Sequence, residues 1–390
     1  MKNQAYSHGM TPDLTHDEAA REHAVRAMRF HLYSQVSQGT RGYFTNVVAP
    51  EFEKANGRAL KDRQEVRKVM EERPYVQLHL SLQRSVQEVM WNTVVENIER
   101  QLPELNARAK NYGQGLGSLT LDEKLEIPRY VANVDIHCMP GGYGYDAGMP
   151  DSVAAGAIYD RGISMYQRGA EGNLGLSVLA YLQRNFPNLK PTQILDLGCT
   201  VGMSTQRYCE AFPDAEIHAI DVAAPCLRYG HARAESLGKR IHFSQQNAEH
   251  TNFGDNTFDV VFSTILAHET STTAWQNILT ESHRVLKPGG VMVHADLPQF
   301  ADIDVYSQFL FGNETRYNNE PFWSTFRAMD LKAAMEAAGF APDQCFVDLA
   351  PMADRETGFT NTKVTAAART RGGSSAPGFG WGVQVGIKSS

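Results

Sequence analysis

The chain has 390 residues, 42% of them hydrophobic, and carries 37 Lys and Arg against 44 Asp and Glu, for a net charge of −7. That length accommodates two domains or one large domain with an extension. The acidic balance, with no stripe of Lys or Arg to track phosphates, argues against a nucleic-acid substrate.

The opening M-K-N-Q-A-Y-S-H-G-M lacks the apolar core of a secretory signal. No apolar run approaches the roughly 20 residues that span a bilayer. A cytoplasmic location without membrane attachment is therefore expected. Helices are predicted over 17–34 and 61–72. A longer one follows Pro74, where Leu78, Leu82, Val86, Val89, Met90, Val94, Ile98 and Leu102 recur at steps of three to four, the pattern of one buried face. From 113 to 156 glycine becomes dense. There I-H-C-M-P-G-G-Y-G-Y-D (136–146) gathers polar ring side chains in a turn-rich connector, a place where substrate-covering loops lie. Asp135, His137 and Tyr143 are the residues expected to touch substrate from it. Residues 1–150 thus read as a helical cap with a Gly-rich connector, closing on its own domain or forming a homodimer through its helices. Residues 151–390 read as the domain that carries the site.

From 157 onward helices and strands alternate. Helices are predicted over 174–185, 204–212, 272–285 and 330–338, and strands over 194–197, 217–220, 241–243, 260–263, 291–295, 345–349 and 383–387, with an Ala-, Gly- and Ser-rich loop over 366–382. This rhythm predicts an α/β fold: a doubly wound, Rossmann-like parallel sheet with helices on both faces and an N-terminal helical extension. Five cysteines (Cys138, Cys199, Cys209, Cys226 and Cys345) form no C-x-x-C pair and leave one over, which suits reduced structural thiols.

The first strand runs into I-L-D-L-G-C-T-V-G-M-S-T (194–205), an apolar run ending at Asp196 that turns through Gly198, Cys199, Thr200 and Gly202 into a helix. Taken alone, such a turn serves NAD, FAD, a phosphate or S-adenosylmethionine. A second carboxylate, Asp221, closes I-H-A-I-D where a second strand would present it to ribose hydroxyls. N-A-E-H (247–250), F-G-D-N-T-F-D-V-V-F-S (253–263) and E-S-H-R-V-L-K-P-G-G-V-M-V (281–293) then follow in order. From about 157 to 340 this series resembles the class I S-adenosylmethionine-dependent methyltransferases, with R-V-L-K-P-G-G among the more specific marks.

The resemblance implies S-adenosylmethionine as cofactor and an antiparallel last strand. Glycines at 198 and 202 let backbone approach the cofactor where a Cβ would collide. Asp196 would meet the cofactor's amino group, Asp221 the ribose diol and Val222 the adenine face. Asn247 and the backbone of Ala248 would face the adenine edge, as the match to the family's acidic-alanine motif implies. Ser263, ending the fourth strand, is counted with them. Two positions depart from the family: Thr200 replaces the usual middle glycine and Asn247 the usual aspartate. A β-branched residue tolerates positive φ poorly, so the turn must keep Thr200 in an ordinary conformation or be reshaped. Asn247 can still accept from the adenine amino group through its amide oxygen.

Methyl transfer from a sulfonium is an in-line displacement that needs alignment and often a base. T-I-L-A-H-E-T after the fourth strand places His268 and Glu269 at the carboxyl edge of the sheet, with His268 the first candidate base. His137 and Tyr143 complete the catalytic candidates. In Q-F-L-F-G-N-E-T-R-Y-N-N-E-P-F-W (308–323), Phe311, Tyr317, Asn319, Phe322 and Trp323 are expected to enclose a partly apolar small molecule. S-T-I-L stands where D-P-P-Y or N-P-P-Y would mark nucleobase amino methylation. His137, Cys138 and His268 are scattered, so no metal is expected. The expected activity is methyl transfer to an O, N or C nucleophile of a small molecule, in specialised metabolism. The alternative keeps the fold and the cofactor but carries out a non-methylating reaction or acts as a binding partner, and protein methylation is a weaker third.

Overall fold

The computed structural model describes residues 7–112, 115–166, 173–351, 353, 354, 358, 359 and 380–389. Of the loop expected over 366–382, residues 366–379 lie outside the described residues. The strands are β1 (Ser118–Thr120), β2 (Gln193–Leu197), β3 (Glu216–Asp221), β4 (His242–Gln245), β5 (Phe258–Thr264), β6 (Leu286–Asp296), β7 (Cys345–Pro351), β8 (Ala353–Asp354), β9 (Gly358–Phe359) and β10 (Gly380–Ile387). Among the described residues eight of them form one sheet in the order β1-β4-β3-β2-β5-β6-β10-β7, and β8 pairs with β9. All neighbours from β1 to β6 run parallel, whereas β10 is antiparallel to both β6 and β7. The sheet is the expected doubly wound one, with the expected antiparallel last strand.

Its central strands read I-L-D-L and V-V-F because both faces are covered: Ile194, Leu195, Val260, Val261 and Phe262 are all fully buried. The strand order reverses between β2 and β5, and a crevice opens there at the carboxyl ends. Ser271 caps the helix Thr272–Val285 by accepting from the Ala274 N–H at 3.1 Å, and Asp330 caps Leu331–Ala337 through Ala333.

Three features were not legible in the sequence. Residues 118–120 add an edge strand beside β4, and helices Ala154–Tyr166 and Ala224–Ser236 pack together beneath the crevice. The first helix, His16–His31, does not stop near 34. It continues through two π-helical stretches, Leu32–Val36 and Phe44–Val48, to Asn56.

The helix after Pro74 runs over Pro74–Glu99, but its buried face is rotated from the expected one. Leu78, Leu82 and Val89 lie exposed, while Met90, Trp91, Val94 and Ile98 are buried with Gln87 and Asn97. The rotation follows from polar residues that find partners inside. Asn97 Nδ2 donates to Glu22 at 2.9 Å, and Arg161 pairs with the same carboxylate. Trp91 lies over Gly162, where an added Cβ would come within 2.2 Å of the indole. The helical extension therefore shares one apolar cluster with the residues beneath the crevice, from Met90 and Trp91 to Ala154, Ile158, Cys226 and Tyr229.

Candidate active site

The turn after β2 is built on three left-handed residues: Gly198 at φ 69°, Thr200 at φ 49° and Gly202 at φ 70°. The expectation that Thr200 might stay in an ordinary conformation is corrected. Thr200 itself takes a left-handed backbone at φ 49°, which costs a β-branched residue about 1–2 kcal/mol. Its N–H donates to Asp221 Oδ2 at 2.9 Å, which helps offset that strain. A Cβ on Gly198 would meet Leu266 at 2.7 Å, and one on Gly202 would meet Phe243 at 2.9 Å.

Asp221 accepts a second backbone bond from Ala223 at 2.9 Å, and burial pushes its carboxyl up to about 6. Asp196 is buried behind the turn, where desolvation pushes it to about 8. Its Oδ2 accepts from Thr205 Oγ1 at 2.5 Å, and Oδ1 has no hydrogen-bond partner. Asn247 Oδ1, expected to face an adenine amino group, accepts instead from the Glu249 N–H at 2.9 Å.

A cleft with a volume of about 70 Å³ opens from this turn. Its lining includes Gly198, Thr200, Asp221, Val222, Asn247 and Ala248 together with Tyr130, Tyr143, Tyr159, Leu266 and Glu269. Ser263 is not among the lining residues. It is buried, and its hydroxyl lies 2.8 Å from His294 Nδ1 in the core.

At the far wall the catalytic candidates form a chain. Tyr143 donates to Glu269 Oε1 at 2.8 Å, the same oxygen lies 3.1 Å from His137 Nε2, and His137 Nδ1 lies 2.5 Å from Glu320 Oε1. Burial pushes the His137 imidazole down, but the two carboxylates more than reverse this and its pKa stands well above the ordinary value. His137 sits at φ 59°, and its carbonyl accepts from Gln87 Nε2 at 2.9 Å and Trp91 Nε1 at 2.6 Å. The helical extension thereby holds a residue of the site. His268 is fully buried behind Glu269, with Nδ1 2.7 Å from Asp296 and its ring edge-on to Trp323. Desolvation lowers its pKa, yet Asp296 and then Glu320 raise it to about 9. At neutral pH it is charged and it does not line the cleft, so the first-choice base is corrected to a residue of the second row.

The expected aromatic lid also lies in that second row. Phe322 packs edge-on to Tyr130 and Phe311 stacks under Arg327, while the Tyr317 carbonyl accepts from Cys138. Asn319 donates to the Asp135 carbonyl at 2.8 Å, and the Asp135 side chain is exposed. These residues hold one another and hold the wall, and the cleft surface itself is made by tyrosines the sequence reading passed over. Tyr130 and Tyr159 carried no motif. Glu320, the hidden partner of both histidines, stands in N-N-E-P-F-W with no periodicity to mark it.

Residues 194–290 match the family described as "Methyltransferase domain". The demethylmenaquinone methyltransferase of Thermus thermophilus is 33% identical over 167 residues, covering 39% of this chain and 75% of its own length. The chain belongs to the class I S-adenosylmethionine-dependent methyltransferases. A second relative, the malonyl-[acyl-carrier protein] O-methyltransferase of Dechloromonas aromatica, is 27% identical over 183 residues, 42% of this chain and 62% of the relative. The chain thus spans a little under two thirds of that relative's length. A solved structure, a candidate O-methyltransferase of Nostoc punctiforme, covers 93% of this chain and 99% of its own at 13% identity and a TM-score of 0.45.

The chain has residues that fit the family's cofactor. The glycine cradle excludes any Cβ, Asp221 retains lone pairs toward the cleft beyond its two backbone bonds, and Asp196, buried behind the turn and outside the cleft lining, keeps one oxygen without a hydrogen bond. Among the described residues no helix is long and apolar enough to cross a membrane. All five cysteines are free.

Proposed function

We propose that this methyltransferase transfers the methyl group of S-adenosylmethionine to an oxygen, nitrogen or carbon nucleophile of a small molecule in specialised metabolism, as a cytoplasmic enzyme. The observation that carries the reading is the cleft whose lining brings the glycine turn and Asp221 together with Tyr143 and Glu269. The cofactor supplies an electrophilic methyl on a sulfonium. Gly198, Gly202 and Asp221 hold its ribose and methionine portions, Asp196 meets the amino group, and Val222 and Ala248 flank the adenine. Asn247 reaches the adenine edge with its amide, whose oxygen is shared with the Glu249 N–H.

On the acceptor side, Tyr130, Tyr143 and Tyr159 give an aromatic wall with hydroxyl tips, suited to a planar, partly polar molecule. Glu269 takes the acceptor's proton, with Tyr143 and His137 fixing one of its oxygens. Asp135, Phe311, Tyr317, Asn319, Phe322 and Trp323 act from behind this wall, and His268 through Glu320. The relatives' names, a malonyl-[acyl-carrier protein] O-methyltransferase and a demethylmenaquinone methyltransferase, support an oxygen or a quinone-type acceptor. The exposed Tyr75, Leu78, Leu82 and Val89 along one helix support a homodimer.

Labelled S-adenosylmethionine incubated with the protein and a metabolite extract tests the reading. Label is expected in one low-molecular-weight product. Tight cofactor binding without transfer to any compound would favour the alternative, a member of the fold that binds without methylating.

A further inference from the structure

His137, Glu269 and Glu320 bring one donor atom each within 4.8 Å of one another. His268 adds a second, independent sign. Its Nε2 is buried without a hydrogen bond, and so is Glu320 Oε2, 4.0 Å away. Two such atoms facing each other in a dry interior cost free energy unless something sits between them. The other nitrogen of His268 is held by Asp296 at 2.7 Å, and Asp296 is itself held by the Leu297 N–H at 2.7 Å. A carboxylate behind a histidine whose second nitrogen is open is the arrangement that orients a metal-ligating imidazole.

The geometry points to a divalent transition-metal site made by His137, His268, Glu269 and Glu320 at the inner end of the cleft. Two ligands of one ion, each at about 2.1 Å, stand at most roughly 4.2 Å apart. The 3.1 Å between His137 Nε2 and Glu269 Oε1 and the 4.0 Å between His268 Nε2 and Glu320 Oε2 lie within that span. The donor atoms of His137, Glu269 and Glu320 all lie within 4.8 Å of one another, so any pair among them closes by at most roughly half an ångström, while His268 Nε2, outside that group of three, has to move further toward it. Two imidazoles with two carboxylates select zinc, iron, cobalt or manganese over calcium and magnesium, which take all-oxygen shells. On loading, the ion enters as the His268 Nε2 proton and the proton shared between His137 and the carboxylates leave to solvent. Glu269 lines the cleft, so an open coordination position there would receive an oxygen of the acceptor, a role that rests on the methyl-transfer reading. No local spacing marks the site, because its four ligands come from three distant segments.

The test separates the site from that reading, because it needs no acceptor. Full-length protein dialysed against a chelator is titrated with Zn2+ and with Co2+ by calorimetry and visible absorption, and separately with S-adenosylhomocysteine. One equivalent of each ion is expected, with Co2+ absorption bands of a nitrogen and oxygen shell. Glu320→Gln and His268→Asn should bind at least about tenfold more weakly, and Asp296→Asn about 10–100-fold, with S-adenosylhomocysteine affinity kept. No saturable equivalent in the parent protein, or parent-like Co2+ affinity in folded Glu320→Gln and His268→Asn, overturns the site. If those buried variants fail to fold, Glu269→Gln on the cleft wall decides in the same way.

Discussion

The Thr200 N–H and Asp221 Oδ2 meet at 2.9 Å, so the one non-glycine left-handed residue of the cofactor turn is tied to the carboxylate at the end of the next strand. Turn and carboxylate act as one unit. Asp221 is set to accept further bonds from a diol only while ionised, and burial has pushed its carboxyl up to about 6. Cofactor affinity should therefore hold at pH 8 and fall as the pH drops through 6. Hydrogen bonds to a charged group contribute about 1.5–3 kcal/mol each, so Asp221→Asn should weaken binding by about 10–100-fold and flatten the pH dependence. The same shift has a second consequence. A carboxyl with a folded pKa above its ordinary 3.8 gives stability that is present below that value and lost as the pH rises through 6. Calorimetric titration and melting curves from pH 4 to 8 check both; an unchanged affinity at pH 5 would contradict the assignment.

The strain at Thr200 can be measured directly. Thr200→Gly removes about 1–2 kcal/mol of left-handed strain and adds roughly 0.5–1 kcal/mol of backbone entropy cost, so the variant should unfold at the same or slightly higher denaturant. Thr200→Val keeps the branched shape, and so the strain, at φ 49° and replaces the hydroxyl by a methyl. It should be the less stable of the two by about 1 kcal/mol or more. A urea series ranks them, and a Gly variant less stable than the Val variant would refute the strain argument.

These two residues show where sequence reading succeeds and where it stops. The alternation of apolar strands and helices, the glycines at 198 and 202 and the carboxylate at 221 are local signals, each fixed by a period or by a backbone conformation. The doubly wound sheet and the cofactor side of the cleft followed from them. The acceptor side did not, because it is assembled by packing between distant segments. His137 is placed by Trp91 and Gln87 of the helical extension, and Glu320 by the chain after the fifth parallel strand. Helical spacing also misplaced Leu78, Leu82 and Val89, because it counts apolar residues and cannot foresee that Asn97 and Gln87 find partners inside.

The extension's hold on the site gives a third prediction. Trp91→Phe preserves most of the packed ring but removes the N–H that donates to the His137 carbonyl at 2.6 Å. Because the carbonyl keeps its bond from Gln87, a loss of about 0.5–1.5 kcal/mol in stability is expected, alongside a fall in kcat/KM with S-adenosylmethionine affinity unchanged. Gly162→Ala drives a methyl into the indole face at 2.2 Å and should cost about 1–3 kcal/mol by overpacking. Equal loss of cofactor affinity and turnover in Trp91→Phe would mean that the extension supports the whole domain and does not specifically position His137.

The last prediction concerns the wall of the cleft. Tyr143 donates to Glu269 at 2.8 Å, and burial pushes the phenol's pKa well above its ordinary value, so it stays a neutral donor throughout the working pH range. Tyr143→Phe leaves the ring in the wall and deletes one of the bonds that orient Glu269 Oε1. The remaining contact to His137 at 3.1 Å still holds that oxygen, so the effect should be partial. If Glu269 takes the acceptor's proton, kcat should fall by about 10–100-fold, within the range that positioned general bases supply, while cofactor binding is untouched. Glu269→Gln, which keeps the shape and removes the basic oxygen, should fall further than Tyr143→Phe. Steady-state rates of both variants across pH 6 to 9 decide the order, and a Tyr143→Phe enzyme slower than Glu269→Gln would assign the acceptor contact to the tyrosine instead.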